Sequence, residues 1–136
     1  MILLDTNVIS EVMRGPRADR RVLAWVRSLD TIPVTTVINR AEILAGIAVL
    51  PSGQRRDLLE AAAHDAFDGL GVCLPVMPEA ASAYARIVAE RQGAGHPVGA
   101  MDALVAAIAT VAGATVATRD VADFADLGLP LINPWE

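Results

Sequence analysis

Lysine is absent from this chain of 136 residues, whose 11 basic residues are all arginine. Its absence excludes a phosphate-binding loop ending in Gly-Lys-Ser/Thr, Schiff-base and pyridoxal-phosphate enzymes, and a lysine general base. Cysteine occurs once, at Cys73, which excludes an intramolecular disulfide and a Cys-rich zinc site and makes a reducing cytoplasm the expected setting. Long hydrophobic runs are missing too. The longest uncharged apolar stretch, residues 103–118, is interrupted by Gly113 and falls short of the ~20 residues of a spanning helix, so no membrane partner is expected. The apolar opening, residues 1–4, has no basic flank and ends at Asp5, unlike a secretory signal. Net positive charge is lacking as well: at -5, the chain has no built-in nonspecific pull toward nucleic acid.

With 54% hydrophobic and 20% charged residues, and no repeat or low-complexity linker, residues 1–136 are expected to form one domain around one core. Ile2-Leu3-Leu4 is too short for a core helix and reads as a buried strand, followed by a helix over residues 7–14 that Gly15-Pro16 stops. Residues 19–29 carry Val22, Trp25, Val26 and Leu29 at helical spacing, giving an amphipathic helix. Residues 33–35 read as a strand, after which Thr36 caps a helix over residues 37–50. Further helices are expected over 53–68, 78–92 and 100–112, and further strands over 72–74, 115–118 and 131–132. Short apolar strands alternating with helices make an α/β protein, a three-layer α/β/α sandwich on a parallel central sheet. Such sheets place their sites at the carboxyl ends of the strands.

Asp5 directly follows the first strand, and Asp120 follows the strand over 115–118 with only Arg119 between. Glu42 lies in the second turn of the helix that leaves the second strand and shares a face with Asn39. Taken alone, it reads as part of a solvated face. From Ala100 to Gly113 the only polar side chains are Asp102 and Thr110, so Asp102 stands on a helix that is apolar all round. Its place in the first turn, where the helix dipole favours an anion, is an alternative account. Four acids from four segments thus reach one rim with no lysine to neutralise them, and a divalent cation is the usual remedy. Oxygen ligands, with only His64 and His96 besides, favour Mg²⁺ or Mn²⁺ over Zn²⁺. Loss of one acid, at Asp5 or at Asp102, should relieve repulsion and leave apo stability equal or higher.

The blocks Leu3-Leu4-Asp5-Thr6-Asn7-Val8-Ile9-Ser10-Glu11, Ala41-Glu42-Ile43-Leu44-Ala45-Gly46, Asp102-Ala103-Leu104-Val105-Ala106-Ala107 and Thr118-Arg119-Asp120-Val121-Ala122-Asp123-Phe124 resemble, in order and spacing, the four acidic blocks of the PIN domain. The resemblance covers essentially the whole chain, and with the Asn133-Pro134-Trp135 ending it is nearest the VapC and FitB group of toxin ribonucleases. It implies a Mg²⁺-dependent endoribonuclease toxin that acts on RNA and is inhibited by a cognate antitoxin. By position, Asp5, Glu42, Asp102 and Asp120 match the catalytic and metal-binding quartet, and Thr6, Asn7 and Thr118 match its polar neighbours. Asp123, the acid before Phe124, competes with Asp120 for the fourth place. Asp120 is preferred because it stands nearer the strand end.

Arg119, beside the rim, is a candidate for substrate phosphate or a partner for an acid. Arg14, Arg17, Arg20 and Arg21 are candidates for RNA phosphate contacts, and a solvated helix face explains them equally well. A homodimer is expected, with Trp25 and the apolar faces as its support, although core packing also accounts for Trp25. His96 reads as surface loop. A haloacid-dehalogenase-like phosphatase would need an acid where Asn7 stands, and a receiver domain would need a lysine. A noncatalytic PIN-like binding module is the remaining alternative, and it gives no reason for four mutually repelling acids.

Overall fold

The computed structural model describes the whole chain, residues 1–136. In chain order the elements are β1 (Ile2–Leu4), α1 (Thr6–Met13), α2 (Arg20–Arg27), β2 (Thr35–Thr36), α3 (Val37–Ala48), α4 (Gln54–Asp68) and β3 (Cys73–Leu74). There follow α5 (Glu79–Gly93), α6 (Ala100–Ala112), β4 (Thr115–Ala117), α7 (Val121–Phe124) and β5 (Leu131–Ile132). Parallel ladders join β1 to β4, β4 to β5 and β2 to β3. A parallel bridge between Leu3 and Val34 closes the remaining gap, with the Leu4 N–H donating to the Val34 carbonyl at 2.8 Å. One parallel sheet results, in the order β3-β2-β1-β4-β5. The chain winds outward from β1 to β3, then crosses to start again at β4, so the topology reverses between β1 and β4, where ligand crevices form in such sheets.

Strand alternation sorts the core into two halves. Leu3 and Val116, paired in register, face a cluster that contains Ile87 of α5 and the buried alanines of α6. Their neighbours Leu4 and Ala117 point the other way, into a cluster with Val8, Ile9, Val22, Ile43 and Ala63 from α1 to α4. Helices therefore cover both faces, as the alternating pattern required. Alanine is what lets α6 lie so close: Ala103, Ala106, Ala107 and Ala109 are entirely inaccessible to solvent. Gly113 ends α6 at φ 65°, a left-handed conformation that glycine adopts without strain, and the chain turns straight into β4.

The structure moves several expected boundaries. The second ladder begins at Thr35, with Val34 joining β1 and Pro33 offering only a carbonyl. Gly15-Pro16 stops α1 by opening a single 3-10 turn, Gly15–Arg17, with Pro16 where its missing N–H costs nothing. The four-residue α7 was not expected from periodicity, because one turn is too short to show a period. Trp25 is half-buried against the second cluster, so core packing accounts for it.

Candidate active site

Asp5 leaves β1 at the topological reversal and caps α1. It is only 6% exposed. One carboxylate oxygen accepts from the Thr6 N–H at 2.9 Å and from Asn39 Nδ2 at 3.0 Å, and the other accepts from Thr118 Oγ1 at 2.8 Å. Burial pushes its pKa above the ordinary aspartate value. The three donors pull it down without cancelling that effect, and the Asp120 charge adds a smaller upward push.

The surrounding polar groups interlock. Thr118 is fully buried just beyond β4, and its Oγ1 also accepts from Asn7 Nδ2 at 3.3 Å and from the Asp120 N–H at 3.0 Å. Asn7 Nδ2 reaches Asp120 Oδ2 at 3.2 Å, while Asn7 Oδ1 accepts from the Arg119 N–H at 3.2 Å. The ends of β1 and β4 are thereby laced into one network.

Glu42 and Asp102 enter the cleft from helices α3 and α6, its helix wall. Both titrate above their ordinary values: burial contributes most, followed by Asp5 and Asp102 for Glu42, and by Asp5, Asp123 and Asp120 for Asp102. No protein hydrogen bond holds either one down. Asp102 lies in the first turn of α6 at the half-exposed rim, so the all-apolar character of the helix does not bury the acid at this end of α6. The fully inaccessible residues begin at Ala103.

Asp5, Glu42, Asp102 and Asp120 line one open cleft of about 470 Å³, together with Thr6, Asn7, Arg14 and Arg119. Asp123 does not line it. Its side chain borders a neighbouring cavity of about 370 Å³ with Glu90, Arg91, His96 and Asp126, although its charge still acts on Asp102. The four acids placed together from the sequence are therefore brought together. Neither histidine reaches them: His64 pairs with Asp68 on α4 at 3.4 Å, and His96 lies exposed beyond α5. Two of the four arginines considered for phosphate contacts are engaged, Arg14 with Glu11 at 3.0 Å and Arg21 with Asp19 at 3.1 Å.

Asn39 is the functional residue the sequence reading left without a role. It is fully buried in the first turn of α3, accepting from Thr36 Oγ1 at 2.7 Å and donating to Asp5 and to Thr6 Oγ1, each at 3.0 Å. The available signal was an amide three residues after a capping Thr, on a helix face with one other polar group, Glu42. The expectation that losing Asp5 or Asp102 leaves apo stability equal or higher is kept for Asp102 and revised for Asp5, because removing Asp5 would orphan buried donors.

No three carboxyl, imidazole or thiol groups sit together as a closed ligand set for one ion. Spaced carboxylates around an open cleft instead fit an oxygen-loving cation that keeps much of its water, which is how Mg²⁺ binds.

The profile of the PIN domain family matches residues 2–128. A VapC ribonuclease of Sinorhizobium fredii is 39% identical over 100% of this chain and 99% of its own length. The toxin FitB of Neisseria gonorrhoeae is 38% identical over 99% of both. Among solved structures, a chain of FitAcB from Neisseria gonorrhoeae superposes with a TM-score of 0.89 at 36% identity, covering 100% of this chain and 99% of that one. A chain of a DNA-bound VapBC complex from Rickettsia felis shares the fold, with a TM-score of 0.85 at 18% identity, covering 98% of each.

Proposed function

Because this chain belongs to the PIN domain family, we propose that it is the toxin of a toxin-antitoxin pair and acts in the cytoplasm as a Mg²⁺-dependent endoribonuclease. The observation that carries this reading is the convergence of Asp5, Glu42, Asp102 and Asp120, from four separate segments, on one cleft that contains no histidine. These four carboxylates would hold Mg²⁺, or Mn²⁺ in its place. When bound, the ion supplies an activated water and neutralises charge that builds on the phosphate.

The chain's own residues set the stage. Thr6, Asn39 and Thr118 keep Asp5 in one orientation, and Asn7 ties Asp120 to the same frame. Glu42 and Asp102, unheld by the protein, can turn toward a cation or a water. With no imidazole in the cleft, the route in which the ribose 2′-hydroxyl attacks lacks a histidine pair to serve as its acid and base, whereas a metal-activated water needs only the carboxylates. The expected products carry 5′-phosphate and 3′-hydroxyl ends. Single-stranded or looped RNA is the expected substrate, since a splayed strand can enter a small cleft that a rigid duplex cannot.

Inhibition by an antitoxin is proposed on the example of similarly folded chains, among which are members of toxin-antitoxin complexes and systems. The inhibitory segment would cover the cleft and place an arginine among the carboxylates, whose focused negative field suits a bidentate guanidinium. A homodimer is also proposed. Val76, Met77 and Val111 stand exposed around the edge strand β3, and pairing would cover them.

The test is incubation of the purified protein with long single-stranded RNA and Mg²⁺, with the ends of the fragments identified. Cleavage that EDTA abolishes and that leaves 5′-phosphates supports the reading. Cyclic 2′,3′-phosphate ends, full activity in excess EDTA, or no Mg²⁺ binding by a stably folded chain would overturn it.

A further inference from the structure

Two arginines line the acidic cleft, and the protein uses them differently. Arg14 is committed, with its NH1 donating to both oxygens of Glu11 at 3.0 and 3.1 Å. Arg119 stands between Thr118 and Asp120 in the chain, with five carboxylates on the cleft wall, yet its guanidinium forms no ion pair. Instead it lies over the ring of Trp135, 5.1 Å from the centroid. Stacking occupies one face of the guanidinium and leaves its in-plane N–H edge uncommitted.

Both supports of this cation are fixed. Trp135 is 6% exposed and belongs to the same buried cluster as Val8, Val22 and Ala117, so the platform is part of the core. The Arg119 backbone is pinned by its N–H to Asn7 Oδ1 at 3.2 Å, within the network that holds Asp120. An anionic strand drawn toward a rim of carboxylates needs a cation from the protein, and a pre-oriented guanidinium matches two oxygens of one phosphate.

We propose that Arg119, stacked on Trp135, is the substrate-binding residue that grips a phosphate of the RNA strand at the mouth of the cleft. This rests on the ribonuclease reading and deepens it. A ground-state grip acts on binding, so its loss raises KM and leaves kcat nearly unchanged.

The experiment compares wild type, Arg119→Ala and Arg119→Lys on an end-labelled, mixed-sequence single-stranded RNA with Mg²⁺, over a series of salt concentrations. Arg119→Ala should raise KM about ten- to a hundredfold, as loss of a charge-assisted phosphate contact does. The slope of log(kcat/KM) against log salt should flatten by about 0.7, the value for one phosphate contact on a single strand. Arg119→Lys should restore the salt slope but only part of KM, because an ammonium neither stacks nor forks. Mg²⁺ affinity, measured calorimetrically, should hold or tighten in Arg119→Ala, whereas loss of a cleft carboxylate weakens it. Trp135→Leu should raise KM about two- to fivefold through the lost ring face, and Trp135→Phe less. An active wild type with unchanged KM and salt slope in Arg119→Ala overturns the proposal alone, while an inactive wild type overturns the ribonuclease reading and this proposal with it.

Discussion

The two walls of the acidic cleft are built on opposite plans. On the strand wall, at the ends of β1 and β4, Asp5 and Asp120 belong to a continuous hydrogen-bond network with Thr6, Asn7, Asn39 and Thr118. On the helix wall, Glu42 and Asp102 have no hydrogen bond from the protein, and burial, reinforced by neighbouring acids, raises both above their ordinary pKa. The strand wall is a finished structure, whereas the helix wall is electrostatically frustrated until something positive arrives. One wall fixes where a ligand sits, and the other supplies the unmet demand for it.

The sharpest way to break this comparison is to delete one acid from each wall. Asp5→Ala and Asp102→Ala should each lower RNA cleavage by at least about 10²–10³-fold, the scale for losing one pre-organised group that stabilises charge in the reaction. Their stabilities should diverge. Asp5→Ala orphans the buried Thr118 hydroxyl and part of the Asn39 amide, at about 1–3 kcal/mol. Asp102→Ala removes no hydrogen bond and relieves repulsion, against about 0.3–1 kcal/mol of lost helix-dipole interaction, so its melting point without metal should lie near or above wild type. Equal melting points for the two variants would erase the distinction between the walls.

Asn39→Ala comes next, because it loosens the strand wall without removing a carboxylate of the cleft. With one donor to Asp5 gone, the carboxylate is harder to ionise and free to turn, so Mg²⁺ affinity should fall about 10–100-fold. A calorimetric Mg²⁺ titration with the wild-type constant would show that Asp5 needs no such support.

How much of this was legible in the sequence differs along the chain. The span of α6 was readable to the residue, because Gly113 closes a run in which only Asp102 and Thr110 are polar. The convergence of Asp5 and Asp120 followed from their places after strands, once β1 and β4 were neighbours. The half-exposure of Asp102 was not legible, since periodicity reports which face is apolar and not where a buried helix emerges at a rim. The hydrogen bonds of Asn39 to Asp5 and Thr6 were hidden for another reason: they span more than 30 residues of sequence and exist only after α3 docks on α1.

A smaller effect separates the two acids of the last block. Asp120 lines the cleft and is tied to Asn7, whereas Asp123 borders the cavity behind it and touches the chemistry only through its field at Asp102. Asp120→Asn should therefore lower cleavage about tenfold more than Asp123→Asn, within the range for groups that orient or assist a metal site. Kinetics of the two amide variants at saturating Mg²⁺ decide it. The reverse order would move the fourth acid to position 123.

The smallest effect is a pH dependence that should change sign when metal is added. Burial, reinforced by Asp5, Asp123 and Asp120, raises the pKa of Asp102 in the folded state, so the native protein holds that proton more tightly than the unfolded chain does. As pH rises from the ordinary carboxylate range near ~4 through the raised folded value, stability from this group is lost. Asp19 has the opposite sign, lowered by its hydrogen bond to Arg21, but it is common to wild type and Asp102→Asn and cancels in their difference. The melting point of wild type minus that of Asp102→Asn, without divalent ions, should thus fall as pH rises from 4 to 7, by a small amount because Asp102 is half-exposed and screened. With saturating Mg²⁺ the same difference should rise with pH, since the cation binds the ionised carboxylate and competes with the proton. A difference that stays flat in both conditions would mean that Asp102 titrates as a free surface acid and that the helix wall carries no unmet charge.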